Sequence, residues 1–559
     1  MEFKVKKFSS LEKIRNFEDL DKKEVHQRTV LQGERLSYQI CIKANNETGH
    51  RMFAKISVQS ELADYVRLYF VKDVYMDRPT TAQEMPMEDY ITQEPGFMPD
   101  VLIPLEEQGN IMTFPNDIRT IWVKIDIPRN IKPGNYPVTI TFSFHNVNLD
   151  NKAVLDVHEA MLVEVLPIAL PEQKLIYTRW FYVDCIAEQH DVEIYSEKHW
   201  ELIEKYIAAA ADVGINMLLI PTHTPPLDTA IGTTRPCVQL VDIEKEGEKY
   251  KFSFDKFKRF IEICKKNGIK YYEIAHMFSQ WGAKWAPNIL VTDNGKTGYK
   301  FGWHTEANSE EYVEFLKQYI AAISQELEKE NISENTYFHI SDEPVIENLE
   351  TYRKASEIIR PFIGNSKTFD ALSNYTFYEK GLVECPVTSV SHIHEFLEHE
   401  IDNQWVYYCC GPQKVFTNSL IAMPSYRTRI LGFLLYKYNI KGFLHWGFNF
   451  YNSYVSYYRI NPYLTTSADG AYPSGDPFIV YPSKNGVYSS IRGEITYEAI
   501  QDMDICFTLE NLVGRDEVVR MIDEIAGIDL RFDDYPRCSC FLEKLRAAMV
   551  DKIRGEEGS

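Results

Sequence analysis

The hydrophobic period of the chain changes near residue 170, and this change constrains the fold more than any other feature. Before it, apolar and polar residues alternate over short runs, as in 36–42 and 120–127. After it, short apolar runs alternate with longer amphipathic segments, which is the pattern of repeated strand–helix units around a parallel sheet. The sequence therefore predicts a β-rich part followed by an α/β part.

Eight short apolar runs follow the change of period, and eight is the number of strands that a closed parallel barrel needs. They span 175–181, 217–221, 270–275, 337–341, 368–372, 388–391, 405–410 and 442–446. Amphipathic helical stripes lie between several of them, for example over 196–213 and 310–328. An open doubly wound sheet is the alternative, but no Gly-x-Gly-x-x-Gly or Walker-type loop follows the first run. We predict a (β/α)8 TIM-like barrel.

The domain boundaries follow from the same patterns. Short alternating strands with turn signals between them predict an N-terminal β-sandwich over residues 1–170. The prolines in 167–172 mark a linker, after which the barrel domain is expected over 171–490. Residues 491–559 carry helical patterns, so we expect a C-terminal helical segment attached to the barrel. The predicted architecture is therefore multidomain.

The run at 337–341 leads directly into Asp342, Glu343 and Pro344. In a parallel barrel the active site is built from the loops that follow the strands, so this acidic pair is placed where chemistry is expected. Pro344 disfavours a helical conformation at the preceding residue, which predicts an extended backbone at Glu343. The alternative is that Asp342 is the N-cap of a helix that begins with Glu343 and Pro344.

Aromatic residues collect at or just after the predicted strand ends. They are Trp180, Trp281, Trp285, Trp303 and Trp446, with Tyr375, Tyr407 and Asn449 in comparable positions. An acidic site with aromatic walls suits a sugar, because the apolar face of the ring stacks on indole while the hydroxyls bond to polar groups. For each aromatic residue taken singly, core packing is the alternative. As a group they favour a carbohydrate-binding pocket.

Composition excludes several classes of partner. The formal net charge of −21 disfavours nucleic acid and anionic membrane surfaces. No apolar leader segment follows Met1 and no stretch is long enough to span a bilayer, so we expect a cytoplasmic protein, if no leader has been removed, with no membrane insertion. The ten cysteines have no regular spacing, and we expect them to be reduced, including the close pairs Cys409-Cys410 and Cys538-Ser539-Cys540. The oligomeric state is left open.

A metal site and a cofactor are not expected. His392, His394, Glu395 and His399 could together bind a metal ion, but such a cluster is more often a solvated loop and helix face. No Gly-x-Ser-x-Gly elbow and no His-Glu-x-x-His motif is present. Other acids near predicted strand ends are Asp184, Asp228, Glu273, Asp370 and Glu395. These matter because ordinary retaining glycosidases use two carboxyl groups, commonly from different strands.

Four motifs together resemble glycoside hydrolase family 123. They are His339-Ile340-Ser341-Asp342-Glu343-Pro344, Trp180-Phe181-Tyr182-Val183-Asp184, Phe301-Gly302-Trp303-His304-Thr305 and Gly442-Phe443-Leu444-His445-Trp446-Gly447-Phe448-Asn449. The resemblance implies a β-N-acetylgalactosaminidase with a sandwich followed by a barrel, in which the substrate's 2-acetamido oxygen is the nucleophile. The resemblance further implies that Asp342 orients the acetamido group and that Glu343 is the general acid and then the general base. It also implies that residues around this pair bind the substrate. The substrate-binding positions are Trp303, Tyr407, Trp446, Asn449, His339 and Tyr375.

Neighbouring carboxylates at one strand end are consistent with that mechanism, because their side chains diverge and can serve two positions on the substrate. We expect different environments to keep Asp342 ionised and Glu343 protonated. Two alternatives stay open. One is a retaining glycosidase with a carboxylate nucleophile from another strand, and the other is a non-catalytic carbohydrate-binding protein. The adjacent acids disfavour the latter, since binding alone needs no such pair.

Overall fold

The computed structural model describes residues 2–45, 52–82, 89–147, 153–280, 282–399 and 401–557. The chain forms two compact units, and each unit is built from segments that are separated in the sequence. One contains Met1–Lys174, Thr417–Lys437 and Tyr488–Ser559, and the other contains Leu175–Phe416 and Tyr438–Val487. The expected division into three consecutive domains therefore stays a prediction.

The first unit is β-rich at its N-terminal end, as predicted. One of its sheets has the order Glu2–Ser9, Arg35–Asn45, Ile118–Asp126, Val66–Met76 and Gly96–Pro104, and Ser489 and Ser490 pair with Leu102 and Val101 of the last strand. The other has the order Gln27–Gln32, Ala153–Ala169, Gly134–Asn146, Met52–Gln59 and Ile111–Thr113. Alternate residues of both sheets enter one hydrophobic cluster, in which Ile40 and Ile121 join Ile140 and Phe142. This shared core explains the period of two in the sequence.

The C-terminal helices belong to the same unit as the two sheets. They are Ile491–Val513, Arg515–Ala526 and Ser539–Glu557, and the unit also contains Ser425–Arg429 and Leu431–Lys437. Arg492, at the start of the first of these helices, donates to Asp100 Oδ2 at 2.9 Å, and both side chains are buried. Cys538 and Cys540 form a disulfide, so the expectation that all cysteines are reduced is wrong for this pair.

The second unit is built on a closed barrel of eight parallel strands, in the order of the sequence. They are Ile176–Arg179, Met217–Ile220, Tyr271–Ile274, Thr336–Phe338, Lys367–Ala371, Cys385–Ser389, Trp405–Tyr407 and Gly442–His445. The first and last strands pair in register from Ile176 and Gly442 onward, which rules out the open sheet. Gly442 lies against the indole of Trp405, where an added Cβ would come within 2.0 Å of a ring atom.

The connections between the barrel strands are unequal. The α-helices of these connections that belong to this unit are Val183–Gln189, Glu197–Asp212, Asp255–Lys266, Glu310–Lys329, Leu349–Ile359, Thr376–Glu379 and Ile393–Leu397. A separate small sheet has the order Lys249–Ser253, Asp242–Glu246, Ile289–Asp293 and Lys296–Phe301. The barrel is thus present, while a regular (β/α)8 repeat stays a prediction. Among the helices of the described residues, none is long and apolar enough to cross a membrane.

The starts of two helical elements can be compared with the sequence predictions. Ser196 caps the helix Glu197–Asp212 by accepting a hydrogen bond from the His199 backbone N–H, and the predicted apolar stripe of this helix is buried. After the acidic pair, the next element is the 3₁₀ turn Ile346–Asn348, which is preceded by Val345. Asp342 is therefore not a helix N-cap.

Candidate active site

The acidic pair lies just beyond the fourth barrel strand. Asp342 is 5 % exposed, whereas Glu343 is partly exposed. The backbone of Glu343 has a φ of +43°, so the prediction of an extended conformation is wrong. Pro344 disfavours the right-handed helical region, and the chain takes the left-handed region instead, at a cost of about 1–3 kcal/mol. The Glu343 N–H donates to the carbonyl of Ala371 on the next strand at 3.1 Å, which holds this conformation.

Asp342 is held by an amide from a different loop. Gln280 Nε2 donates to Asp342 Oδ2 at 2.8 Å. Burial, followed by the charge of neighbouring Glu343, raises the pKa of Asp342 well above its usual value, while Gln280 and His339 act in the opposite direction. The direction of this shift is opposite to the one expected from hydrogen bonds to an ionised Asp342.

Glu343 has its own, separate partner. The hydroxyl of Tyr407 donates to Glu343 Oε1 at 2.6 Å, and the Tyr407 side chain is almost completely buried. Tyr407 ends the seventh barrel strand, whereas Glu343 follows the fourth, so the contact exists only in the closed barrel. The two neighbouring carboxyl groups are thus fixed by different donors.

A buried cation lies behind the acidic pair. His339 Nδ1 contacts Asp370 Oδ1 at 2.9 Å, and His339 Nε2 contacts Glu273 Oε1 at 2.7 Å. Burial acts to lower the pKa of His339, but its hydrogen bonds to Asp370 and Glu273 and their charges outweigh this and raise it to about 9. The imidazolium is fully buried and does not line the pocket, so it acts on Asp342 through its charge alone.

The acids open into a pocket of about 210 Å³. It is lined by Trp180, Asp228, Gln280, Asp342, Glu343, Ala371, Tyr407, Cys409, Cys410, Leu444, Trp446, Tyr454 and Tyr472. Trp446 is oriented by its Nε1–H, which donates to Asp476 Oδ2 at 2.8 Å. The Trp180 Nε1–H donates to Glu273 Oε1 at 2.6 Å. The pocket therefore combines two fixed indoles with carboxyl groups.

A third carboxyl group, Asp228, lines the same pocket. The hydroxyls of Tyr182 and Tyr472 donate to its two oxygens at 3.3 and 3.4 Å. Burial raises the pKa of Asp228 to about 6, against the opposing effects of Arg235 and these hydroxyls. Gln280 Oε1 accepts from the Asp228 N–H at 2.9 Å, so one amide side chain joins the loops of Asp228 and Asp342.

Four of the predicted substrate-binding residues do not line this pocket. Trp303 donates to the carbonyl of Thr233 at 3.0 Å, and Tyr375 stacks on His399 with ring centroids 4.0 Å apart. Asn449 is buried and makes two hydrogen bonds to the backbone of Tyr182, of 2.8 and 2.9 Å. His339 is the buried cation described above. Trp281 lies outside the described residues.

Several pocket residues were not predicted as site residues. Gln280 and Tyr472 carry no sequence signal that marks them, and the adjacent cysteines Cys409 and Cys410 were noted only for their redox state, because each of these residues lines the pocket only through the fold. Asp228 was recognised only as one acid among five near strand ends. Its position in a long loop after the second strand gave no reason to prefer it.

One group of side chains in the described residues is close enough to be considered for a metal ion: His276, His339 and Asp370. The imidazoles of His276 and His339 stack nearly parallel, with centroids 3.7 Å apart and planes inclined by 13°. An ion cannot lie in the planes of both rings in this arrangement. Both nitrogens of His339 are in addition already bonded to carboxylates.

Comparison with known proteins agrees with this architecture. The family model described as the glycoside hydrolase 123 catalytic domain matches residues 180–509, and that of the glycoside hydrolase 123 N-terminal domain matches residues 12–143. No curated protein sequence matches the chain.

A solved structure of a family 123 enzyme has the same overall fold. A family 123 glycoside hydrolase from Clostridium perfringens, analysed for glycolipid glycan hydrolysis, is similar with a TM-score of 0.71 and 17% identity, over 100% of this chain and 98% of that chain. A GH10 xylanase from Thermobacillus composti has a TM-score of 0.32 and 11% identity, over 59% of this chain and 97% of that chain. Because the catalytic-domain model alone spans more than half of the sequence, the chain belongs to glycoside hydrolase family 123 and is a glycosidase.

Proposed function

We propose that the protein is an exo-acting β-N-acetylgalactosaminidase that releases terminal β-linked N-acetylgalactosamine with retention of configuration. The observation that carries the proposal is the pair of adjacent carboxyl groups in one pocket, each with its own donor. Gln280 holds Asp342 and Tyr407 holds Glu343. A substrate that supplies its own nucleophile needs one acid beneath its acetamido nitrogen and another beside the glycosidic oxygen, and neighbouring residues can meet both needs.

Asp342 has the role of orienting the acetamido group. As the acetamido oxygen attacks the anomeric carbon, the nitrogen of the acetamido group becomes positively charged and the N–H of that group becomes more acidic. A carboxyl group with a raised pKa is a stronger base once ionised, so Asp342 is suited to accept that N–H. The buried imidazolium of His339 favours the ionised form of Asp342 that this step requires.

Glu343 has the role of general acid and then general base. It protonates the leaving oxygen during formation of the oxazoline intermediate and removes a proton from water during its hydrolysis. When Glu343 has given up its proton, the Tyr407 hydroxyl donates to a full negative charge, and a hydrogen bond to a charged group is the stronger kind. Tyr407 therefore favours the state that Glu343 reaches in the transition state.

Trp446 has the role of a floor for the sugar ring, because its hydrogen bond to Asp476 fixes the orientation of its indole in the pocket. Asn449 and His339 act by positioning, the first through Tyr182 and the second through charge. Trp303 and Tyr375 stay predictions as substrate-binding residues.

The proposed substrates are glycans and glycosphingolipid head groups that end in this sugar. The similar Clostridium perfringens enzyme, studied for glycolipid glycan hydrolysis, supports the glycolipid class. The test is release of phenol from an aryl N-acetyl-β-galactosaminide, run beside the gluco epimer and the non-acetylated galactoside. Turnover that requires the acetamido group supports the proposal. Equal turnover of the plain galactoside contradicts it.

A thiazoline analogue of N-acetylgalactosamine tests the mechanism directly. It mimics the bicyclic intermediate, so it should inhibit competitively and bind much more tightly than the free sugar. A covalent sugar adduct on any protein carboxylate would refute the substrate-assisted mechanism.

Asp228 supports one second candidate, a glycosidase with an enzyme nucleophile. It lines the pocket with Glu343 and comes from a different barrel loop. In that mechanism Asp228 would attack the anomeric carbon and Glu343 would be the acid and base. Azide should then rescue Asp228→Ala and yield a glycosyl azide of inverted configuration. Under the favoured mechanism azide has no such effect.

A further inference from the structure

Two adjacent thiols form part of the pocket wall and have no role in the proposed reaction. Cys409 and Cys410 follow the seventh barrel strand, directly after Tyr407 and Tyr408, and both are partly exposed. Neither takes part in a disulfide. Their sulfur atoms are 3.8 Å apart, which is within hydrogen-bonding distance for sulfur, and Cys409 Sγ also contacts the carbonyl oxygen of Gly411 at 3.3 Å.

A disulfide between these two residues is poorly compatible with the backbone. Consecutive Cα atoms across a trans peptide are about 3.8 Å apart, whereas disulfides usually join Cα atoms about 4.4–6.8 Å apart. A bridging ion has no such requirement. Two sulfur ligands at about 2.3 Å from a tetrahedral ion are about 3.8 Å from one another, which is the separation that the thiols already have.

We propose that Cys409 and Cys410 form a two-sulfur binding site for a thiophilic divalent cation, such as Zn²⁺ or Cd²⁺, inside the catalytic pocket. On binding, two metal–sulfur bonds form and each thiol releases its proton to solvent, with no oxidation or reduction. Over the part of the chain that the structure describes, no third His, Cys, Asp or Glu ligand atom completes a group with these sulfurs. Water would therefore fill the remaining positions, and binding should be reversible by a chelator.

Occupancy of this site should inhibit the enzyme. The thiols share the pocket with Glu343, Tyr407 and Trp446, so a hydrated ion between them would occupy space that the sugar ring needs. This consequence rests on the proposed function, because it takes the pocket as the place of catalysis. The binding itself does not, and it can be measured without any substrate.

The first experiment measures binding of CdCl₂ or ZnCl₂ to the full chain. We expect one equivalent of metal by native mass spectrometry and, for cadmium, an ultraviolet thiolate-to-metal absorption band. Alkylation by iodoacetamide, mapped by peptide mass spectrometry, should be suppressed at both cysteines in the presence of the metal. Unchanged alkylation at Cys409 and Cys410 in the metal-loaded protein would overturn the proposal, whatever the activity of the enzyme.

The second experiment compares variants, each against its own metal-free rate. Cys409→Ser and Cys410→Ser should each raise the metal concentration that gives half-maximal inhibition. Loss of a residue that only supports a metal ligand weakens metal binding by about 10–100-fold, and loss of a ligand itself should weaken it by more. Cys237→Ser is the matched control, since Cys237 is also partly exposed but does not line the pocket, and its sensitivity should equal that of the unmodified protein. Inhibition that persists unchanged in both pocket variants would refute the site. Absence of any glycosidase activity would refute the proposed function instead and leave the binding result intact.

Discussion

The hydrogen bond from Tyr407 to Glu343 allows a quantitative prediction. Tyr407→Phe removes one hydroxyl and leaves the aromatic ring in place in an almost completely buried position. The lost bond is 2.6 Å long and is donated to a carboxylate in the transition state. Bonds to charged groups contribute about 1.5–3 kcal/mol, and 1.36 kcal/mol corresponds to a factor of ten in rate. We therefore expect kcat/KM to fall by about 10–150-fold.

The effect should appear mainly in kcat. Glu343 is partly exposed, so water can replace the tyrosine hydroxyl in the free protein, but a bound sugar that fills the pocket excludes it. The assay is the initial rate of an aryl N-acetyl-β-galactosaminide over a range of concentrations, with thermal unfolding measured on the same preparations. The loss should be larger for a poor leaving group, because the negative charge on the acid is then more developed.

A matched control separates catalysis from stability. Tyr312 is also buried and donates a bond of 2.6 Å, but to the carbonyl of Met277, and it does not line the pocket. Tyr312→Phe should lower stability by about 0.5–1.5 kcal/mol and leave kcat/KM nearly unchanged. The reasoning fails if Tyr407→Phe stays within twofold of the unmodified enzyme, or if both variants lose activity only in proportion to their stability.

Three further predictions concern the same pocket. Glu343→Gln should slow natural glycans far more than substrates with very acidic leaving phenols, since the latter need little protonation, and equal losses on both would exclude the acid role. Asp342→Asn should reduce kcat by about 10²–10³-fold, measured on the aryl substrate. Burial and the charge of Glu343 raise the pKa of Asp342 in the folded state. Asp342 therefore contributes fully to the stability of the fold at low pH, and this contribution is lost as the pH rises through the raised pKa of Asp342. The melting temperature of Asp342→Asn should therefore exceed that of the unmodified protein increasingly toward alkaline pH, and a constant difference would contradict the raised pKa. Trp446→Ala should weaken competitive inhibition by N-acetylgalactosamine and lower turnover with little change in melting temperature, whereas a large loss of stability with normal catalysis would make Trp446 a core residue.

The sequence by itself determined the features that depend on local pattern. The eight barrel strands were each placed within a few residues of their observed bounds, because apolar runs and amphipathic stripes encode which residues are buried. The position of Asp342 and Glu343 beyond the fourth strand followed from the same pattern. The family relationship, which the matching family models show, was visible in short motifs.

Only the tertiary structure decided what surrounds the acids. Pairing of the third and fourth strands brings Gln280 to Asp342, and closure of the barrel brings Tyr407 to Glu343, and no local signal couples residues so far apart in sequence. The left-handed backbone at Glu343 depends on a hydrogen bond to Ala371 of the neighbouring strand, which overrides the extended conformation that Pro344 alone predicts. The raised pKa of Asp342 follows first from burial, which exists only when distant segments have packed together, and then from the charge of the adjacent Glu343, which the sequence alone provides.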